Sequence, residues 1–181
     1  MLPLRSVVTK KILTYFFANP DARLYVNELS RKLALDKRNC VKKIRELEQE
    51  GIITHETRGN LKLYSINQDY ALYKEYKKIV MATFGVEGEL RKLLAEVKNI
   101  KAAYIYGSYA HDAMDAHSDI DVLVVGSASA IAVQKRIHAF QAAIDREINV
   151  TVMDEADFER RSKAGDPFVT GVLKKAPIRL I

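Results

Sequence analysis

The sequence has 181 residues, of which 48% are hydrophobic and 29% charged, and it predicts a soluble globular protein of one or two small domains. No apolar run approaches the roughly 18 residues that span a bilayer, and the N-terminus carries charges where a signal peptide needs an apolar core, so we expect a cytoplasmic protein without membrane contact. A single cysteine, Cys40, excludes an internal disulfide framework and a zinc site built from several cysteines.

The basic excess lies in the first part of the chain. Residues 1–80 contain 16 Lys and Arg against 9 Asp and Glu, whereas residues 81–181 contain 13 against 14. A basic module joined to a nearly neutral one is typical of a nucleic-acid-binding domain fused to a second domain. A solvated basic surface is the alternative that charge alone leaves open.

The first 51 residues predict three helices. Apolar residues recur at helical spacing until Asn19-Pro20 ends the first helix. Asn27 is the expected N-cap of the second helix and Asp36 that of the third, which ends at Gly51. The third helix has an apolar stripe that we expect to be buried, formed by Cys40, Val41, Ile44 and Leu47.

The third helix and the segment after it both carry basic side chains. On the helix they lie on the face opposite the apolar stripe: Lys37, Arg38, Lys42 and Arg45. Strand-like runs at 52–57 and 61–66 then flank a three-residue turn, Arg58-Gly59-Asn60, and predict a hairpin that also carries Lys62.

Two helices joined by a tight turn, the second one basic, followed by a hairpin with a basic tip, resemble the winged helix-turn-helix family of DNA-binding domains. The resemblance covers roughly residues 4–67, and we assign residues 1–67 to this domain. It implies that the four basic residues of the third helix face the major groove of double-stranded DNA, with Arg58 and Lys62 near the phosphate backbone. A winged helix used only for protein contacts or for homodimer formation is the alternative.

Residues 68–85 predict a connecting helix between two domains. The segment is rich in Tyr and Lys at helical spacing, and Phe84-Gly85 marks the expected boundary. A helix over residues 89–98 then begins the second domain, which we assign to residues 86–181.

A pair of aspartates is the most informative motif. A strand over residues 103–106 runs into Gly107-Ser108, and after ten further residues Asp119-Ile120-Asp121 leads into a second apolar strand. Carboxylates two apart on a strand project from one face and repel each other unless a cation lies between them, and Mg²⁺ suits such oxygen ligands. Gly107 allows the backbone to approach a ligand closely, and Ser108 with the amides after it is suited to phosphate; we count Ser118 with these nucleotide-binding residues.

This combination of Gly-Ser and Asp-x-Asp resembles the nucleotidyltransferase superfamily of DNA polymerase beta, most closely its minimal stand-alone members. The resemblance covers about residues 86–181 and implies an α+β chain, in which a small mixed-sheet nucleotidyltransferase domain follows the winged helix. It also implies that Asp119 and Asp121 hold two Mg²⁺ ions and that a third carboxylate on a neighbouring strand activates the attacking hydroxyl.

The third carboxylate is where the sequence departs from the family. The expected position is Asn149, an amide that cannot take a proton, and Glu147 two residues earlier is the candidate substitute. His111 and Asp112 also stand where many members have Arg and Gly. The leading hypothesis is a Mg²⁺-dependent transfer of a nucleoside monophosphate from a nucleoside triphosphate (NTP) to a hydroxyl of a protein or small molecule. The alternatives are a transcriptional regulator whose degenerate domain senses nucleotide, and an antitoxin-like modifier of a toxin or other partner protein.

Overall fold

The chain forms two compact units, residues 1–88 and 89–181. The computed structural model describes residues 5–115 and 118–181, so the first four residues of the predicted N-terminal domain lie outside the described part. The segment 68–85, predicted to connect two domains, falls within the first unit. Every helix in the described ranges is too short or too polar to cross a membrane.

The first unit combines four helices with a three-stranded antiparallel sheet. In chain order its elements are α1 (Val7–Ala18), β1 (Leu24–Tyr25), α2 (Val26–Lys32), α3 (Lys37–Gln49), β2 (Ile53–Arg58), β3 (Leu61–Ile66) and α4 (Tyr73–Thr83). The strand order is β1-β3-β2, so β3 lies in the middle of the sheet. Short connections keep α2 and α3 adjacent.

The ends of α3 follow the predicted local signals. The Asp36 carboxylate accepts a hydrogen bond of 2.9 Å from the amide of Asn39, which confirms the predicted N-cap. Gly51 follows the last turn with a φ of +76°, the left-handed conformation that glycine adopts without strain, and confirms the predicted end. Among the residues predicted to be buried on this helix, Val41 is only partly buried.

Three local predictions for this unit are wrong in detail. The N-cap of the second helix lies two residues earlier than predicted, at Tyr25 rather than Asn27, because the Glu28 carboxylate accepts a hydrogen bond of 2.8 Å from the Tyr25 amide. The hairpin turn has two residues, since Arg58 pairs with Leu61, and Gly59 supplies its positive φ of +59°. The helix predicted from residue 68 begins only at Tyr73.

The core of the first unit lies between α1, α2 and α3. Large side chains of α1 are fully buried, and so are apolar residues of the two following helices: Ile12, Leu13, Phe16, Leu29, Ile44 and Leu47. Helix α4 packs on α1, where the rings of Phe17 and Tyr73 lie 5.6 Å apart. The predicted connecting helix is therefore part of the packing of this unit.

The second unit is built on a four-stranded mixed sheet. Its elements are α5 (Val86–Ala95), which begins at the end of the first unit, then β4 (Ile100–Tyr106), a 3₁₀ turn (Tyr109–His111), β5 (Ile120–Gly126), α6 (Ala130–Ile144), β6 (Ile148–Met153), α7 (Glu155–Lys163), α8 (Pro167–Lys174) and β7 (Ile178–Arg179). The strand order is β6-β5-β4-β7. Only β5 and β6 are parallel, and α6 makes the crossover that parallel strands require.

Strand β5 lies inside this sheet and is buried along its length except at Asp121, which is partly buried. Residues of β5 and β6 pack on one face against α8, in a cluster formed by Leu123, Val125, Met153, Val169 and Val172. A slip of β5 by one residue would move these side chains to its other face and out of contact with α8, so this packing favours the observed register. The polar residues at the start of β5 are thereby held at a defined edge of the sheet.

Candidate functional site

Three side chains lie in one row across the sheet, at the end where β4 finishes and β5 and β6 begin. Tyr106 pairs with Asp121, and Asp121 pairs with Asn149, so all three project from the same face. Asp119 directly precedes β5, and its Oδ2 accepts a hydrogen bond of 3.1 Å from Nδ2 of Asn149. The fold thus brings the amide of Asn149 to two carboxylates, of which that of Asp119 lies 30 residues earlier in the chain.

Burial and charge both act on the carboxylate of Asp121. Burial raises its pKa above the ordinary value of 3.8, the hydrogen bond from Asn149 opposes that shift, and the neighbouring charge of Asp119 raises the pKa further. Two carboxylates therefore share a partly buried edge at which negative charge is poorly compensated. A bound cation would compensate the negative charge of the two carboxylates.

Gly107 lies directly against this pair. Its φ is +74°, and a Cβ atom built on it would lie 2.7 Å from Oδ2 of Asp121, closer than such atoms approach. Ser108 follows at the start of the 3₁₀ turn, where its carbonyl accepts hydrogen bonds from the amides of His111 and Ala113. Asp112, at the position where the family has Gly, adopts a left-handed φ of 53°. A backbone turn and a carboxylate thus share a narrow space.

Ser118 is engaged within its own loop. Its Oγ donates to Oδ1 of Asp115 at 2.8 Å and accepts from the Asp115 amide at 3.0 Å. The carbonyls of these two residues both accept hydrogen bonds from Arg146, a contact that the sequence analysis did not anticipate. Because Arg146 is 31 residues from Asp115, no local pattern signals the contact.

Glu147 stands just before β6 and is exposed. Its carbonyl accepts a hydrogen bond of 2.9 Å from the amide of Ile120, which fixes its backbone beside Asp119. Its side chain makes no hydrogen bond or ion pair with Asp119 or Asp121 in the described part of the chain. Asn149, not Glu147, is the third group in direct contact with the pair.

The donor set of the site is compatible with a hard divalent cation. Two carboxylates supply charge and oxygen ligands, and rotation of the Asn149 amide would offer a third oxygen. Among residues 5–115 and 118–181 no group of three or more His, Cys, Asp and Glu side chains could hold a metal, and the present site offers two carboxylates and an amide instead. The residues present fit Mg²⁺ better than a softer metal.

The first unit carries a second candidate site, which we call the basic surface. It is the exposed face of α3, and its four cations line a shallow depression of about 710 Å³: Lys37, Arg38, Lys42 and Arg45. Within the described residues these four side chains form no ion pair. Their charge is therefore not neutralised by the protein.

The two basic residues of the hairpin have carboxylate partners. Nε of Arg58 lies 3.2 Å from Glu56, which also binds Arg23, and Nζ of Lys62 lies 3.6 Å from Glu48 on α3. Arg58 lowers the pKa of Glu56, chiefly through its hydrogen bond to this carboxylate, and the charge of Arg23 lowers it further. The structure groups the four cations of α3 and ties the two predicted hairpin contacts to acidic neighbours.

Comparison with known proteins identifies the second unit. Residues 88–177 match the family model described as polymerase beta, nucleotidyltransferase, and this part of the chain is therefore a nucleotidyltransferase domain of that superfamily. No curated protein matches the chain.

The chain also has weak structural similarity to several solved proteins. One is a toxin-antitoxin crystallised with AMP-PNP, with 18% identity, a TM-score of 0.39, and coverage of 52% of this chain and 72% of that one. Another is a mutant of the toxin-antitoxin MntA-HpeT, with 16% identity, a TM-score of 0.39 and the same coverage. A third is described as a nucleotidyltransferase from Sulfolobus solfataricus, with 19% identity, a TM-score of 0.31, and coverage of 52% and 74%. Similarity at this level says nothing about what the present chain binds.

Proposed function

We propose that the second unit transfers a nucleoside monophosphate from an NTP to a hydroxyl acceptor in a Mg²⁺-dependent reaction. The observation that carries this proposal is the pairing of Asp119 and Asp121 at a partly buried sheet edge, with the Gly107 backbone against them. Uncompensated negative charge next to a close backbone approach suits a cation that carries a triphosphate. The family match over residues 88–177 agrees with this chemistry.

The reaction is a displacement at the α-phosphorus. The acceptor oxygen forms a bond to this atom, the bond from the α-phosphorus to the oxygen bridging to the β-phosphate breaks, and pyrophosphate leaves with that electron pair. The hydroxyl proton passes to a base or to water. The chemistry that Mg²⁺ would supply, when bound, is neutralisation of phosphate charge and activation of the hydroxyl. Asp119 and Asp121 would hold the ion, while Ser108 and the turn after it would face the phosphates.

Asn149 sets the limit on the rate. The side-chain amide of Asn149 donates a hydrogen bond to Asp119 and fixes that carboxylate. It cannot remove a proton from the acceptor. Glu147 is the residue of this unit that could supply the missing base after a change of rotamer. Without such a base the transfer is expected to be slower by about 10² to 10⁴.

Titration calorimetry tests the site directly. NTP should bind far more tightly with Mg²⁺ than with EDTA, and Asp119→Asn or Asp121→Asn should remove that difference. Glu155→Gln, at an exposed position in the first turn of α7, is the matched control for loss of one carboxylate and should retain it. Equal NTP binding in wild type with and without Mg²⁺ contradicts the proposal. Transfer of label from α-³²P-NTP then distinguishes an enzyme from a nucleotide sensor.

We further propose that the first unit is a winged helix that binds duplex DNA through the basic surface. The unpaired cations of α3 support this, since an exposed helix with four such residues matches the width and the charge of a major groove. With about five phosphates neutralised, log K should fall against log salt with a slope of about −4 to −5.

Charge reversal separates this surface from the general basicity of the unit. Arg38→Glu with Lys42→Glu should weaken duplex binding at least tenfold and flatten the slope. Lys78→Glu, an exposed change on α4, should have a much smaller effect. If no duplex binds at low salt, the winged helix serves protein contacts instead. DNA binding without label transfer favours a transcriptional regulator that senses nucleotide. Asn149 removes the expected base for the transfer step, whereas the two aspartates that would hold the metal and its nucleotide remain.

A further inference from the structure

Arg146 is a buried cation that holds the loop leading into the carboxylate pair. Only 7% of its surface is exposed, at the junction between α6 and β6. Its Nη1 donates to the carbonyl of Asp115 at 2.8 Å and to that of Ser118 at 3.1 Å. Ser118 is joined by a peptide bond to Asp119, so Arg146 fixes the peptide directly before that carboxylate.

The neighbouring residue fixes the peptide on the other side of Asp119. The carbonyl of Glu147 accepts a hydrogen bond of 2.9 Å from the amide of Ile120. The side chain of Asn149 donates a hydrogen bond to the Asp119 carboxylate itself. Three consecutive positions of the β5 entry are therefore held from residues 146–149. Arg146 supplies the one anchor of this set that is charged.

The choice of arginine has a physical cost. Burying a guanidinium is expensive unless its donors are satisfied, and hydrogen bonds from a charged donor are stronger than those from a neutral one. Nη1 carries two N–H groups, so this one nitrogen can donate to both carbonyls of the loop. A buried guanidinium that binds the loop beside two carboxylates indicates that the position of this loop must be precise.

We propose that Arg146 is a positioning residue that sets the location of the Asp119 carboxylate. It acts on this carboxylate through the backbone of Ser118. Its effect on cation binding rests on the proposed function of the site, whereas its effect on the backbone does not.

Two measurements on the full chain test this role separately. The first is amide hydrogen exchange without metal: Arg146→Met should speed exchange at Asp119 and Ile120 at least tenfold and leave Leu123, in the middle of β5, nearly unchanged. Equal acceleration at all three amides means general destabilisation and overturns the proposal, as does unchanged exchange. If Arg146→Met does not fold, Arg146→Lys decides the question by the same comparison, with a smaller expected difference.

The second measurement is Mn²⁺ binding by electron paramagnetic resonance. Arg146→Met should weaken Mn²⁺ binding at least tenfold, and Arg146→Lys should recover part of the loss. Ile137→Ala, which removes a buried side chain of α6, is the control for lowered stability and should bind Mn²⁺ like wild type. A loss in Ile137→Ala as large as that in Arg146→Met overturns the proposal. If wild type binds no Mn²⁺, the proposed function fails, and the exchange comparison still decides the role of Arg146.

Discussion

Restoring a carboxylate at position 149 should make the second unit depend on metal for its stability. In the structure the Asn149 amide donates to Asp119 at 3.1 Å, so Asn149→Asp replaces an attractive contact with two like charges at nearly the same separation. Unit charges about 4 Å apart repel by about 1 kcal/mol in water and about 4 kcal/mol at the effective dielectric near a protein surface. Because Asn149 is exposed, the lower part of this range applies.

The magnitude is large enough to measure. Loss of the hydrogen bond adds about 1 kcal/mol, for a total of about 2 kcal/mol, and each kcal/mol lowers the melting temperature of a domain of 60–100 residues by about 4–8 °C. In EDTA the variant should melt at least about 8 °C below wild type. Mg²⁺ at 100 times its dissociation constant stabilises the variant by about 2.7 kcal/mol and should return its melting temperature to that of wild type in EDTA.

Melting curves followed by circular dichroism in EDTA and at stepped MgCl₂ concentrations make this comparison. Asn149→Leu separates the two causes, since it removes the amide donor without adding charge, and Mg²⁺ should stabilise it no more than it stabilises wild type. Label transfer by Asn149→Asp should exceed wild type at least tenfold. If Asn149→Asp melts like wild type in EDTA, or gains no stability from Mg²⁺, the three side chains do not form one site. If Glu147 is already the base, Glu147→Gln should abolish wild-type transfer and Asn149→Asp should change little.

Three further outcomes follow from contacts described above. Gly107→Ala should cost about 1–2 kcal/mol and weaken Mn²⁺ binding, because its Cβ would collide with Asp121 and its φ is left-handed; melting and Mn²⁺ titration check this. Burial raises the pKa of the Cys40 thiol to about 11 from 9.0, so alkylation at pH 8 should be at least about 100-fold slower than in urea, and stability should fall as the pH rises from 9 toward 11 because the unfolded thiol ionises first. Glu56→Gln should strengthen duplex binding and steepen its salt dependence, since it releases Arg58; equal slopes for the variant and wild type would show that the hairpin stays off the DNA.

Local chemistry explains which parts of the fold could be predicted. The Asp36 cap and the Gly51 end of α3 depend on residues within one helical turn, and both predictions are confirmed. The N-cap of α2 was misplaced because Glu28 reaches back to Tyr25, a contact that competes with the capping propensity of Asn27. The turn length of the hairpin depends on the register of β2 against β3, which the residues of the turn do not encode.

Long-range contacts decide the rest of both candidate sites. The approach of Asn149 to Asp119 depends on the parallel register of β5 and β6, and the sequence indicated it only through the family resemblance. The ion pair of Lys62 with Glu48 joins a strand to a helix. The sequence therefore predicts a DNA contact for Lys62 but not the carboxylate that competes for its charge. Arg146 reaches across 28 residues to Ser118, a distance at which periodicity carries no information.

The position of β6 bears on the size of the acceptor in the proposed transfer reaction. It is the outermost strand of its sheet, and Asn149 near its beginning is exposed, so within the described part of this unit no further strand covers that flank. An enclosed pocket selects its substrate by volume and excludes a polypeptide. An open flank imposes no such limit on volume. The acceptor would then be selected by how well its surface fits the residues around this edge. If the proposed transfer takes place here, a hydroxyl on a macromolecule would reach this edge as readily as one on a metabolite.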